Sequence, residues 1–164
     1  MIRPATYRNA TFRNATFRTG SMRAICAAVL AAPLIGAGAP LPISVSVEIE
    51  GLRSTHGQVL ACLTADPKTF PDCQKDPHAL HVAAPAVNGE NLQFNNVQPG
   101  RYAVALFHDE NGNGRMDKML MVPREGYGFS RDAPVQFGPP KFGAASFAVG
   151  AVQVHTAIHV RYLL

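Results

Sequence analysis

Val152-Gln153-Val154-His155-Thr156-Ala157-Ile158-His159-Val160-Arg161-Tyr162 is the clearest period-2 stretch of the sequence. Val152, Val154, Thr156, Ile158, Val160 and Tyr162 fall on one face, and Gln153, His155, His159 and Arg161 fall on the other. That is a strand with one buried side, because successive side chains of extended backbone point to opposite faces. The same period recurs upstream. Ile43, Val45, Val47 and Ile49 alternate with Ser44, Ser46 and Glu48 to give a half-buried first strand that ends at Gly51. Val59-Leu60-Ala61-Cys62-Leu63 and Tyr102-Ala103-Val104-Ala105-Leu106-Phe107 are apolar at both phases, so they read as central strands covered on each side. Shorter candidates lie at Ala79 to Val82, Leu92 to Val97 and Ala145 to Val149. Nothing after Pro40 keeps a 3.6-residue apolar period over three turns, so the expected fold is all-β.

About seven strands separated by Gly, Pro and Asn clusters suit a two-layer antiparallel β-sandwich of immunoglobulin or transthyretin-like type, with a barrel as the alternative. The Pro99-Gly100-Arg101-Tyr102 turn resembles the approach to a central strand in transthyretin-like modules. The chain of 164 residues suffices for one such domain, expected over residues 40–164.

The formal charge of +4 suggests nucleic acid until it is divided along the chain. Arg3, Arg8, Arg13, Arg18 and Arg23 carry five of the fifteen basic residues, and all eleven acidic residues follow Pro40. Residues 40–164 therefore hold ten basic and eleven acidic side chains, a formal charge of −1, and nucleic acid is not the expected partner.

Residues 1–21 form a basic low-complexity extension built on Ala5-Thr6-Tyr7-Arg8-Asn9, Ala10-Thr11-Phe12-Arg13-Asn14 and Ala15-Thr16-Phe17-Arg18-Thr19. Residues 22–39 have the charged start, the apolar run from Ala24 to Gly38 and the small-residue finish of a secretory signal. The run is shorter than the roughly 18 residues of a membrane span and contains Pro33, so cleavage is expected rather than a stable transmembrane anchor. The expected address is the periplasm or the extracellular space. Since the signal would be complete from Met22, the extension is open to being a mis-assigned start.

Cys26 lies in the segment expected to be removed, which leaves Cys62 and Cys73. In an exported chain the pair can form a disulfide, although Cys62 in an apolar strand equally suits a buried thiol.

The strand ending at Phe107 runs directly into His108-Asp109-Glu110-Asn111-Gly112-Asn113-Gly114-Arg115-Met116-Asp117. With Asp109 at position 1 of a calcium loop, Asn111 and Asn113 fall at positions 3 and 5, and Gly114 at the turn. The Arg115 carbonyl takes position 7 and Asp117 position 9. Ca²⁺ asks for six to eight hard oxygen donors, and alternate residues of a tightly curled loop supply them. Position 12, where a bidentate Glu ordinarily closes the shell, is Leu120; Glu110, Glu125 or water are the candidates to replace it. With so few charged donors the expected affinity is weak, Kd about 10⁻⁴ to 10⁻³ M. The competing reading is a plain turn, since Asn, Asp and Gly also favour Asx-turns and left-handed backbone.

Beyond the loop, Tyr127, Phe129 and Phe142 stand on Gly-rich backbone. They read either as a ligand-contacting patch or as a small satellite core beneath a long connection.

With these residues in view, the chain resembles the domain of unknown function 2141 family of exported bacterial proteins. The resemblance runs through Gly51-Leu52-Arg53, Gly57-Gln58-Val59, Cys62-Leu63, Phe70-Pro71, Pro99-Gly100-Arg101-Tyr102-Ala103, His108-Asp109-Glu110-Asn111-Gly112-Asn113-Gly114, Glu125-Gly126-Tyr127-Gly128-Phe129-Ser130 and Phe142-Gly143-Ala144-Ala145-Ser146-Phe147. It implies a secreted β-sandwich and brings no activity or catalytic residue with it. One departure is Met121, which stands where the family's pattern has Gly two positions before Pro123.

The leading expectation is a noncatalytic binding or structural module with a weak Ca²⁺ loop, whose partner is an envelope protein or glycan. One alternative is an envelope hydrolase acting on a glycan or ester through His108 with Asp109 or Glu110. Neighbours on a strand point to opposite faces, and no nucleophile elbow accompanies them. A second alternative is a structural subunit that pairs through an edge strand. His155 and His159 share a strand face, but about 13 Å of extended backbone separates them, too far to share a metal.

Overall fold

A computed structural model describes residues 43–88, 91–120 and 122–164. The low-complexity extension, the signal segment, Cys26 and Met121 lie outside the described residues. The described residues belong to one compact unit and are almost entirely β.

Ten strands are described: β1 Ile43–Glu50, β2 Gln58–Thr64, β3 Leu80–Pro85, β4 Asn91–Val97, β5 Gly100–Asp109, β6 Lys118–Met119, β7 Val122–Pro123, β8 Gly126–Phe129, β9 Phe147–Val149 and β10 Val154–His159. One sheet has the order β10-β1-β4; the other runs β3-β2-β5-β8, with β9 also pairing β5, and β6 and β7 form a separate hairpin. The inner faces meet in a core that includes Val45, Val47, Leu92, Phe94 and Ile158 from the first sheet and Val59, Leu63, Val104 and Leu106 from the second. Two packed layers follow directly from the period-2 pattern, because each sheet has an apolar side to remove from water.

The antiparallel expectation has one exception. β1 and β10 run parallel, with Val45 opposite Val154 and Ile49 opposite Ile158. Alternation gives the buried face of a strand but not the direction of its neighbour, so the sequence could not reveal this. Beyond the end of β10 the chain is stitched to β8 by two backbone hydrogen bonds between Tyr127 and Arg161, at 3.0 and 2.9 Å, which partly close that flank of the sandwich.

β2 and β5 are apolar at both phases because a second core covers the outer face of their sheet. Cys62, Ala103, Ala105, Tyr127 and Phe129 meet Phe70, Cys73, Ala133 and Ala145 there. Two connections supply this cover: residues 65–79, and residues 130–146 with the short helix α1, Phe142–Ala145. Cys62 and Cys73 are joined by a disulfide with Cα atoms 6.4 Å apart and a sequence separation of 11. Closing a loop of that length contributes about 2.8 kcal/mol in the chain-entropy description. Just beyond Cys73, in the same 65–79 connection, the buried Asp76 carboxylate accepts the Thr64 hydroxyl and the His78 backbone N–H, at 2.9 Å for the latter. Those two donors hold its carboxyl below the usual value.

The segment expected as Gly-rich loop is strand β8, paired to β5 with Phe129 opposite Ala105 and Tyr127 opposite Phe107. Its glycines are required by close approach: a Cβ on Gly128 would stand 2.5 Å from Ile158 Cγ2, and one on Gly126 2.5 Å from Tyr162 Cζ. Alternating Gly with Tyr and Phe thus presses one face of β8 against β10 and sends the rings into the outer core. Residues 142–145, in part expected as strand, form α1, and the strand there shortens to β9. The final strand is also shorter than its alternation, and Val152 lies outside it and is exposed.

Candidate metal loop

β5 delivers two neighbouring polar residues to opposite faces, and the two have different tasks. His108 points into the inner core and is fully buried. Its Nε2 lies 2.8 Å from the His56 carbonyl, which can only accept, so Nε2 carries a proton. Nδ1 lies 2.7 Å from the Tyr162 hydroxyl, which accepts the Arg53 backbone N–H at 3.2 Å and donates to the imidazole when it is neutral. Both ring nitrogens are thereby engaged. Tyr162 is held above its ordinary value, chiefly by burial. This arrangement leaves His108 no free nitrogen with which to work on a substrate, and Asp109 is on the other side of the strand.

Asp109 is also fully buried, at the root of the loop. Its Oδ2 accepts Gln58 Nε2 at 2.9 Å and the Gly114 N–H at 2.7 Å, while Oδ1 accepts the Asn113 N–H at 3.0 Å. Burial pushes the carboxyl up, but the Gln58 amide and the N–H groups of Gly114, Asn113 and Gly112 outweigh it and hold it below the usual range. The loop curls around this one carboxylate, with Gly112 and Gly114 at φ +71° and +73°.

The remaining loop residues of the sequence pattern turn toward one another. Asn111 Oδ1 accepts the Asn113 N–H at 3.0 Å, and Asn113 Oδ1 accepts the Arg115 N–H at 2.8 Å. Each amide oxygen has a second lone pair beyond these bonds. Asp117 Oδ2 accepts both amide groups, from Asn111 Nδ2 at 2.7 Å and Asn113 Nδ2 at 3.0 Å. Asp109, Asn111, Asn113 and Asp117 are thus brought together, with Arg115 on the exposed limb between the last two. Among the described residues no three carboxylate, imidazole or thiol groups already stand in a metal-holding arrangement. The donor set of the loop is instead two carboxylates mixed with amide and carbonyl oxygens.

Two further carboxylates border the loop. Glu110 is taken by Arg53, whose Nε lies 3.2 and 3.1 Å from its two oxygens, and by the Ser54 hydroxyl at 2.8 Å. The Arg53 bond leads the effects that lower its carboxyl from the usual value. Arg53 also stacks 4.3 Å from the Tyr162 ring centroid and donates to the Leu164 carbonyl at 2.6 Å, which ties the loop to the end of the chain. Glu125 is 4% exposed. One of its oxygens, Oε2, accepts the Asp117 N–H at 3.1 Å, whereas Oε1 is buried with no partner. Burial raises its carboxyl, and the charges of Asp109, Asp117 and Glu110 raise it further.

The aromatic patch expected at Tyr127, Phe129 and Phe142 is not a surface. Tyr127 and Phe129 are buried and Phe142 is half-buried. Phe70 packs edge-on against Phe129 and Phe142, with ring centroids 5.8 and 6.0 Å apart. The satellite-core alternative describes them correctly, because the pairing of β8 with β5 turns the rings under the connections that roof the sheet. Sequence reading missed Arg53, Gln58 and Tyr162 as partners of the site. Gln58 heads a strand and Tyr162 lies on the apolar face of the last one, so neither carried a polar motif of its own.

The family model described as "Uncharacterized protein conserved in bacteria (DUF2141)" matches residues 47–157, which is more than half of the chain. No curated protein and no solved structure matches it.

Proposed function

The chain belongs to the DUF2141 family of bacterial proteins, and from that premise we propose that it is a noncatalytic, exported envelope module whose Asp109–Asp117 loop binds Ca²⁺ and is ordered by it. The observation that carries this reading is the convergence of the loop's side chains: Asp117 Oδ2 reaches both Asn111 and Asn113, while Asp109 anchors the loop from beneath. A plain turn needs one such contact; it does not need four oxygen-bearing side chains on alternate residues gathered around two carboxylates. Hard oxygen donors of this kind select Ca²⁺ over transition metals, and the flexible coordination number of Ca²⁺ suits amide and carbonyl oxygens better than the strict octahedron of Mg²⁺. The enclosure of His108 between His56 and Tyr162 supports the noncatalytic part of the reading.

The test is thermal melting across a calcium titration. Binding only to the folded state stabilises by about 1.4 kcal/mol at a tenfold excess over Kd, so about 10 mM Ca²⁺ raises Tm by several degrees even at the weakest expected affinity. In Asp109→Ala that rise is absent. An unchanged wild-type melting temperature up to 10 Kd of the weakest expected site, about 10 mM, removes the metal from the proposal.

A further inference from the structure

We infer that Glu125, sixteen positions after Asp109 and outside the loop, is the ligand that closes the calcium shell. The inference rests on the calcium reading above and adds the identity of the missing donor. In a helix-flanked calcium loop the closing carboxylate arrives at position 12. Here that position is Leu120, which is 92% exposed at the tip of the β6–β7 hairpin and cannot serve. The hairpin instead reverses the chain. Lys118 pairs with Pro123 and Met119 with Val122, and the Arg124 N–H binds the Asp117 carbonyl at 2.9 Å. The next residue is Glu125, and its Oε2 accepts the Asp117 N–H at 3.1 Å. A two-stranded detour thus returns a carboxylate to the loop at Asp117.

Three features favour Glu125 over the other candidates. Its Oε1 is buried and has no hydrogen-bond partner, which is costly for a carboxylate unless something else offsets it. It stands beside Asp109 and Asp117, so like charges are gathered where a cation would relieve them. Glu110, the nearer acid in sequence, already has its charge paired with the Arg53 guanidinium, whereas Asp109 and Glu125 have only neutral donors. With Glu125 included, three carboxylates, two amide oxygens and the Arg115 carbonyl border the loop, a donor number Ca²⁺ takes. Binding would draw the carboxylates together, since no three acidic groups among the described residues already stand in a metal-holding arrangement. The ion would then join the end of β5 to the residue that leads into β8.

The experiment is calorimetric titration of the full chain with CaCl₂, for wild type, Glu125→Gln and Glu110→Gln, together with melting of each in EDTA and in calcium. Glu125→Gln is expected to weaken calcium binding by about tenfold or more, since ligand charge sets affinity in such sites. Glu110→Gln changes it by less than about threefold. In EDTA, Glu125→Gln melts at or above the wild-type temperature because a crowded, unpaired carboxylate is gone, whereas in saturating calcium it melts below wild type. A purely structural role would lower both melting temperatures, which overturns the inference. Equal calcium affinity in wild type and Glu125→Gln also overturns it while leaving the loop as a metal site; absence of binding in wild type overturns both.

Discussion

Replacing Asp109 by Asn, with no calcium present, tests whether one carboxylate holds the loop together. The substitution preserves shape and removes one acceptor. Gln58 Nε2 at 2.9 Å and the Gly114 N–H at 2.7 Å converge on Oδ2, and the Asn113 N–H at 3.0 Å uses Oδ1. An amide offers a single oxygen, so whichever way it is turned at least one buried donor faces an NH₂ group. Hydrogen bonds to a charged group contribute roughly 1.5 to 3 kcal/mol each. A neutral amide is cheaper to bury than a carboxylate, which offsets part of the loss. The same hydrogen bonds outweigh burial in holding the Asp109 carboxyl below its usual range, in line with a net loss on replacement. The net expectation is a loss of about 3 kcal/mol, or a fall in Tm of about 10 °C for a domain of this size. Urea unfolding in EDTA, with wild type and Asp109→Asn compared at equal m-value, measures it directly. A loss below about 1 kcal/mol would show that the loop keeps its form without this anchor, and the geometric basis of the metal site would fail.

Phe129→Ala is expected to cost about 3 to 5 kcal/mol, because the ring is packed between Phe70 and Tyr127, whereas a residue of a surface patch would shift stability by less than about 0.5; denaturant melts distinguish the two. Asp76 has its carboxyl lowered by the Thr64 hydroxyl and the His78 N–H, so its contribution is fully present above the unfolded value near 3.9 and is lost as pH falls through the lower folded value. Asp76→Asn should therefore be less stable than wild type at pH 7, with the gap closing as the pH is taken below about 3.9; a gap that stays constant to pH 2 would refute the assignment.

The all-β fold was legible because strand periodicity is a local property. β1, β2, β4, β5 and β10 each carry their own buried face in the order of their residues, and the double apolar phase of β2 and β5 announced cover on both sides. β8 was not legible. Gly126-Tyr127-Gly128-Phe129 reads as a loop until Ile158 and Tyr162 are in place to show that there is no room for a Cβ. The rings misled for the same reason: exposure belongs to the neighbours of a side chain, and those neighbours come from residues 65–79 and 130–146.

For the candidate site, the order of residues determined the oxygen-bearing side chains on alternate positions of the loop, since spacing along one short segment is written in the chain itself. Tertiary structure decided the rest. The parallel partnership of β1 with β10, the burial of His108 against Tyr162, the capture of Glu110 by Arg53 and the return of Glu125 to Asp117 join residues between 8 and more than 100 positions apart. Such pairings depend on how hairpins reverse and how sheets meet, which no local pattern of polarity encodes.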